Sequence, residues 1–268
     1  VPPLQAAVLG AVQGLTEFIP ISSSGHLVLV PAALGWDRPG LAFDVLLHAA
    51  SLAALIVYFS GDLVDLIRGA AQGNAQSRRL VVLLAIGTVP AGLAGLLLGD
   101  FFERSFEQPK PSAIQLIATA FILVGAELAL RYHQHRTASA GSQLREIDDL
   151  RTPDAIAIGI AQAISILPGI SRSGSTIGAG LALGVDRDHA ARFAFLLAIP
   201  ALVGAMIVKL PDLSGSTLGT GAALAGFVSS LVFSYAAIWG LIRYLRRNTL
   251  YPFAAYCVVA GIVFYAIV

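Results

Sequence analysis

The chain alternates long apolar runs with short polar connections, and polar residues break two of those runs midway. Residues 4–34 are long enough to span a bilayer, but Pro20, the triplet Ser22, Ser23 and Ser24, and Gly25 interrupt them. Proline removes a helix hydrogen bond and serine favours caps and turns, so the pattern predicts two short helices joined by a turn. Three unbroken candidates follow at 41–60, 80–99 and 113–131, each near the roughly twenty residues that a spanning helix needs. After a polar connection at 132–153, residues 154–184 form a second broken run, split by Pro168-Gly169 and Ser171-Arg172-Ser173. Spans at 190–208, 218–242 and 252–268 complete the pattern. Non-helical backbone at membrane depth survives only where protein buries it or water lines it, so each broken run reads as a re-entrant helical hairpin.

One broken run followed by three spans thus occurs twice, with an offset of about 150 residues. The single membrane domain 1–268 then divides into a first repeat, 1–131, the connection 132–153, and a second repeat, 154–268. Gly10-Ala11-Val12-Gln13 parallels Gly159-Ile160-Ala161-Gln162. An odd number of spans per unit makes the second unit enter from the opposite side, giving an inverted-topology repeat. The connections 61–79, 131–153, 184–189 and 243–251 hold eleven arginines, and the opposite set holds Arg38, Arg104, Lys110 and Lys209. The positive-inside rule places the first set in the cytoplasm. The expected fold is therefore an all-α integral membrane protein with six transmembrane helices plus two re-entrant hairpins meeting near the midplane.

Composition agrees with a membrane chain: 56% of the 268 residues are hydrophobic and 12% charged, with a mean hydropathy of +0.78, far above a soluble domain. The net charge of +1 means nothing globally, because in a membrane protein the placement of Lys and Arg carries the information, and no nucleic-acid partner is suggested. Cys257, the single cysteine, excludes an internal disulfide and a cysteine metal cluster, and reads as a small buried residue. Val1-Pro2-Pro3-Leu4-Gln5 lacks a basic segment, which argues against a cleavable signal peptide and leaves targeting to the first membrane segments.

Glu17 and Arg172 are the notable charges within broken runs. At mid-bilayer each costs roughly 2.5–3.5 kcal/mol, and each supplies the charge that the other lacks, so the two are expected to meet. Gln13 and Glu17, four apart, share a helix face and could jointly hold a divalent cation or a water, or simply line a helix contact. His26 could act as proton acceptor, nucleophile or structural hydrogen-bonding group. Ser22, Ser23 and Ser24 could cap the second helix of the hairpin or bind phosphate. Arg172 presents a planar fork suited to two phosphate oxygens, although it could also merely neutralise Glu17. Ser171, Ser173 and Thr176 add hydroxyls, and Gly169 and Gly174 let backbone N–H groups approach. A helix starting near Ser173 would aim its positive end at the same anion. Together these groups make a kit for binding and cleaving a phosphate.

Other polar groups in the spans have plainer readings. Asp44 and His48 share a face and line an outer vestibule or form a structural hydrogen bond. Glu127 is expected to reach the cytoplasmic interface by itself, and Asp188 with Arg192 to form a helix-stabilising pair. Trp36, Tyr244 and Tyr251 fit an aromatic belt.

The two polar stretches resemble the undecaprenyl-diphosphate phosphatase family of the bacitracin-resistance type. The family's first signature appears as Gln13 to Glu17 followed by Pro20-Ile21-Ser22-Ser23-Ser24-Gly25-His26, and its second as Pro168-Gly169-Ile170-Ser171-Arg172-Ser173-Gly174-Ser175-Thr176. Many members carry Glu where Gln13 stands, which makes Glu17 the principal carboxylate. The resemblance covers essentially the whole chain. It implies hydrolysis of a C55 polyprenyl diphosphate to the monophosphate lipid carrier and inorganic phosphate, recycling that carrier for cell-wall synthesis. It further implies Glu17 and His26 as catalytic groups, Ser23 as nucleophile or phosphate ligand, and Arg172 as phosphate clamp, with Ser171, Ser173 and Thr176 completing the pocket. Mg2+ or Ca2+ is the implied cofactor, for which Glu17 and Gln13 are the candidate ligands by their spacing. The implied location is the bacterial plasma membrane, with the site and the C-terminus facing outside. A homodimer is compatible with the sequence. Attack by water activated by Glu17, by Ser23 or by His26 stays open at this level. A rival of another class is a transporter or flippase of polyprenyl phosphate lipids, because inverted repeats with discontinuous helices are also transporter architecture.

Overall fold

The computed structural model describes residues 1–37, 40–210 and 218–268, so Arg38 of the outer set lies outside the described residues. The first half contains α1 (Pro3–Phe18), α2 (Ser23–Leu34), α3 (Leu41–Tyr58), α4 (Ser60–Ala71), α5 (Ala75–Leu97), α6 (Gly99–Phe106) and α7 (Pro109–Ala140). The second contains α8 (Thr152–Ile164), α9 (Arg172–Ala182), α10 (Arg187–Lys209), α11 (Thr220–Leu245) and α12 (Tyr251–Ile267). Among the described residues the structure is all-helical, apart from one isolated bridge between Arg145 and Val185.

Local chemistry sets the two breaks. Pro20 restrains Ile19 to extended backbone (φ −63°, ψ 136°), which stops α1. Ser22 then takes φ +70°, the only positive φ among described non-glycine residues, and accepts a hydrogen bond from Gly25 N at 3.3 Å as N-cap of α2. In the second run Gly169 carries φ +102°, and a Cβ there would lie 2.3 Å from the Ser112 carbonyl oxygen, so only glycine fits. Ser171 caps α9 by accepting from Gly174 N at 3.0 Å. The two tips touch: a Cβ on Gly25 would lie 2.9 Å from Gly169 Cα, and the Ser173 hydroxyl donates to Ile19 O at 3.3 Å.

The first helix of each broken run packs by glycine on a distant partner. Gly10 of α1 lies so close to α11 that a Cβ would come within 2.4 Å of Gly226 O, and Gly159 of α8 would meet Gly87 O of α5 at the same distance. Such small-residue contacts are how helices approach closely in lipid, where apolar burial offers little drive. Buried serines join α3 to α11, with Ser234 donating to Ser51 at 2.9 Å and Ser230 to Leu47 O at 2.9 Å. Outward-facing Leu97, Phe121 and Ile262 present apolar surface to the membrane.

Five helices, α3, α5, α7, α10 and α11, are long and apolar enough to cross a membrane. The sixth expected span corresponds to α12, which is apolar but only 17 residues long. Two helices escaped the hydropathy pattern. α4 is short and amphipathic, with Leu63 and Leu66 turned to the core, and α6 is a single eight-residue segment. α7 also runs nine residues past the expected end at 131, until Gly141 (φ +65°) terminates it. Cys257 is fully buried, as expected.

Glu127 requires a correction. It does not reach the interface: it is 0% exposed and accepts from Arg187 Nε at 3.1 Å, from a terminal Arg187 nitrogen at 2.5 Å and from Leu250 N at 2.8 Å. The partner lies sixty positions away, so spacing along α7 could not reveal it. Asp188 and Arg192 do pair within α10 at 3.5 Å, and Arg192 also reaches Asp62 at 3.3 Å.

Candidate active site

Glu17, one residue from the end of α1, is the centre of the polar cluster and is 5% exposed. Its Oε1 accepts a 2.6 Å hydrogen bond from an Arg172 terminal nitrogen. Its Oε2 accepts from Gln13 Nε2 at 2.9 Å and from the Ser23 hydroxyl. The four-residue spacing of Gln13 and Glu17 therefore does put both on one face, as α-helical geometry requires. Ser23 opens α2 and Arg172 opens α9, so two helix N-termini converge on one carboxylate. Each contributes unpaired N–H groups and the positive end of a dipole, an arrangement that attracts anions.

Arg172 spends one N–H on Glu17 among the described residues, which leaves most of its donor fork for a ligand. Gln13 Oε1 is buried without a partner among the described residues. Oxygen donors of this kind suit Mg2+ or Ca2+, and Mg2+ in particular takes one or two protein ligands and completes its shell with water and substrate phosphate. Among the described residues no group of three or more His, Cys, Asp or Glu side chains could form a full cage. Gln13 and Glu17 fit the former arrangement.

The remaining expected residues divide by what their polar atoms do. Ser22 is committed to capping and lies 3.3 Å from Ser24 Oγ. Ser171 and Ser173 hydroxyls lie 3.2 Å apart beside the first tip. Thr176 donates to Arg172 O at 2.8 Å, back along its own helix. Gly169 supplies its carbonyl to Thr119 Oγ1 at 2.7 Å. His26, in the first turn of α2, meets α12: Nδ1 bonds Ser22 O at 2.7 Å, and Nε2 bonds the Tyr256 hydroxyl at 2.7 Å.

Three further residues enter that sequence reasoning did not place there. His48 Nδ1 bonds the Asp44 carbonyl at 2.7 Å, which turns Nε2 toward Glu17 Oε2 at 3.8 Å. A histidine inside an apolar helix was the signal for it. Thr119 clamps the second tip by bonding both Gly169 O and Ser171 N, the latter at 3.0 Å. Tyr256 gave no signal, because an aromatic residue in an apolar helix is ordinary.

Fold and site together define a multi-pass membrane protein whose interior holds an anion-directed polar centre between two broken helices. The family model of bacitracin resistance protein BacA matches residues 6–263, and the chain belongs to that family. It is similar to proteins named undecaprenyl-diphosphatase. One from Methanosphaera stadtmanae is 40% identical over 276 residues, covering 97% of this chain and 96% of the relative. One from Gemmatimonas aurantiaca is 42% identical over 269 residues, covering 98% and 96%. Another, from Geobacter sulfurreducens, is 42% identical over 266 residues, covering 96% and 95%.

Proposed function

We propose that this chain hydrolyses undecaprenyl diphosphate to undecaprenyl phosphate and inorganic phosphate. The family and the names of its relatives support the reaction. The single observation that carries it is the Glu17 carboxylate held between the Ser23 hydroxyl and the Arg172 guanidinium where two helix starts converge. A diphosphate on a long isoprenoid keeps its tail in lipid, so the polar machinery must come to the membrane.

In this reading Arg172 and the first-turn N–H groups of α2 and α9 bind the oxygens of the terminal phosphate. Ser23 Oγ attacks phosphorus while its proton passes to Glu17, the bond to the bridging oxygen breaks, and the proton leaves Glu17 on that oxygen of the departing lipid monophosphate, which restores the carboxylate. Water then cleaves the phosphoserine, giving one proton to Glu17 as it attacks; that proton returns to Ser23 Oγ as phosphate departs. Ser23 is preferred to His26 because both imidazole nitrogens already hold partners. A Mg2+ or Ca2+ ion held by Glu17 and Gln13 would neutralise charge on the diphosphate. His48, 3.8 Å from Glu17, borders the same region.

The membrane arrangement is part of the proposal. We read α1–α2 and α8–α9 as re-entrant hairpins of inverted repeats spanning 1–131 and 154–268, with α3, α5, α7, α10, α11 and α12 as six spans. Support comes from matching caps 149 positions apart: Ser22 with Gly25 N, and Ser171 with Gly174 N. The crossed glycine contacts, α1 on α11 and α8 on α5, have the same form in both halves. The distribution of Lys and Arg supports a plasma-membrane orientation with the site opening outward and α12 ending outside.

Purified protein in detergent tests the reaction, with no membrane left to cross. Release of inorganic phosphate from a polyprenyl diphosphate, lost in Glu17→Gln, supports hydrolysis; binding without turnover overturns it.

A further inference from the structure

His26 is 3% exposed, and neither imidazole nitrogen is free. Ser22 O can only accept, so the 2.7 Å contact fixes the proton on Nδ1. In the neutral ring Nε2 is then a lone pair, and the Tyr256 hydroxyl at 2.7 Å donates to it. The phenol ring lies nearly parallel to the imidazole, at 15° with centroids 5.7 Å apart, and Phe264 closes the edge at 6.0 Å and 88°. Both aromatic residues come from α12. The same helix also sets Cys257 Sγ against Pro20 O at 3.9 Å, so α12 is seated on the first tip at more than one point.

We propose that Tyr256 is a positioning residue for the hydrolysis, acting through His26. A phenol hydroxyl both donates and accepts. It donates to Nε2 of the neutral ring and accepts from Nε2–H of the imidazolium, so it holds the ring in one orientation through a change of protonation. Nε2 is thereby withheld from phosphorus, and Nδ1–H stays on the carbonyl of Ser22, the residue before Ser23. Tyr256 is 43% exposed, and the hydroxyl links a sealed imidazole to the surface of α12. This inference rests on the phosphatase reading of the site, but the hydrogen bond itself can be measured without turnover.

Tyr256→Phe keeps the ring stack and removes only the hydroxyl. With a polyprenyl diphosphate in detergent micelles, kcat is expected to fall about tenfold, the scale of one hydrogen bond in the series Tyr256–His26–Ser22 O that seats the neighbouring Ser23, while KM changes less than about twofold. Tyr256→Leu, which also removes the stack, should fall at least as far. A packing role predicts otherwise: the Phe variant would keep wild-type kcat and only the Leu variant would lose it. Nitrogen-15 NMR of the histidine-labelled wild-type protein supplies a readout that needs no variant to fold. The His26 Nε2 resonance should show an accepted hydrogen bond, and in Tyr256→Phe it should move toward that of free imidazole. An Nε2 resonance of a free nitrogen in the wild type, wild-type kcat in Tyr256→Phe, or a trapped phosphohistidine at His26 would each overturn the proposal. If the wild type shows the hydrogen bond but releases no phosphate, the phosphatase reading fails instead.

Discussion

Glu17–Arg172 and Glu127–Arg187 are both buried carboxylate–guanidinium pairs, with shortest contacts of 2.6 Å and 2.5 Å, yet they are completed differently. Arg187 grips Glu127 with two nitrogens, and Leu250 N adds a backbone donor, so this carboxylate is closed on all sides and ties α7 to α10 and to the start of α12. Arg172 gives Glu17 a single N–H, and the other oxygen takes a serine hydroxyl and an amide. The first fork is spent on structure and the second is only begun. A buried ion pair is weak evidence of stability by itself; how much of its hydrogen-bonding capacity remains unused separates a fastening from a site.

Substitution should pull the two pairs apart. Arg172→Ala or Glu17→Gln is expected to lower the kcat of the folded fraction at least about a thousandfold, the scale of lost charge stabilisation and base catalysis, a loss far beyond any drop in the thermal midpoint, since Gln13 and Ser23 still donate to Glu17 when Arg172 is gone. Arg187→Ala should do the reverse. It leaves Glu127 buried without its partner, a loss of about 3–5 kcal/mol visible as a lower midpoint, while the folded fraction keeps most of its kcat. Matching losses of activity from both variants would erase the distinction.

Gly169→Ala sharpens the comparison from the backbone side. It puts an L side chain at φ +102° against the Ser112 carbonyl, a strain of about 1–3 kcal/mol that should displace the Arg172 tip and reduce kcat together with stability. Thr119→Val removes the hydroxyl that bonds Gly169 O and Ser171 N. It is expected to cost about 1–3 kcal/mol, read as a lower midpoint and a partial loss of kcat. Cys257→Ala has the smallest effect expected, with unchanged phosphate release and a loss of stability below about 1 kcal/mol.

Both tips were legible in the sequence because their residues violate the membrane rule that polar groups need partners. Pro20, the serine triplet, Pro168-Gly169 and Arg172 mark the breaks, and opposite charge predicts the meeting of Glu17 and Arg172. The fastening at Glu127 was not legible, since its guanidinium comes from the first turn of another helix and Glu127 by itself looks like a residue reaching for the interface. His48 was half legible: its intramembrane position flagged it, but the geometry gives its Nδ1 to the Asp44 backbone and its Nε2 to the Glu17 side. α4 and α6 escaped because hydropathy windows suited to a bilayer average out short amphipathic helices.

The most direct test of the central claim, that the two tips form one phosphate-handling centre, is phosphate release by purified Arg172→Ala, with the folded fraction matched to wild type. Release per folded molecule reduced at least about a thousandfold is the predicted result. Wild-type release from that variant would remove the second tip from the chemistry and contradict a centre shared between the two broken helices.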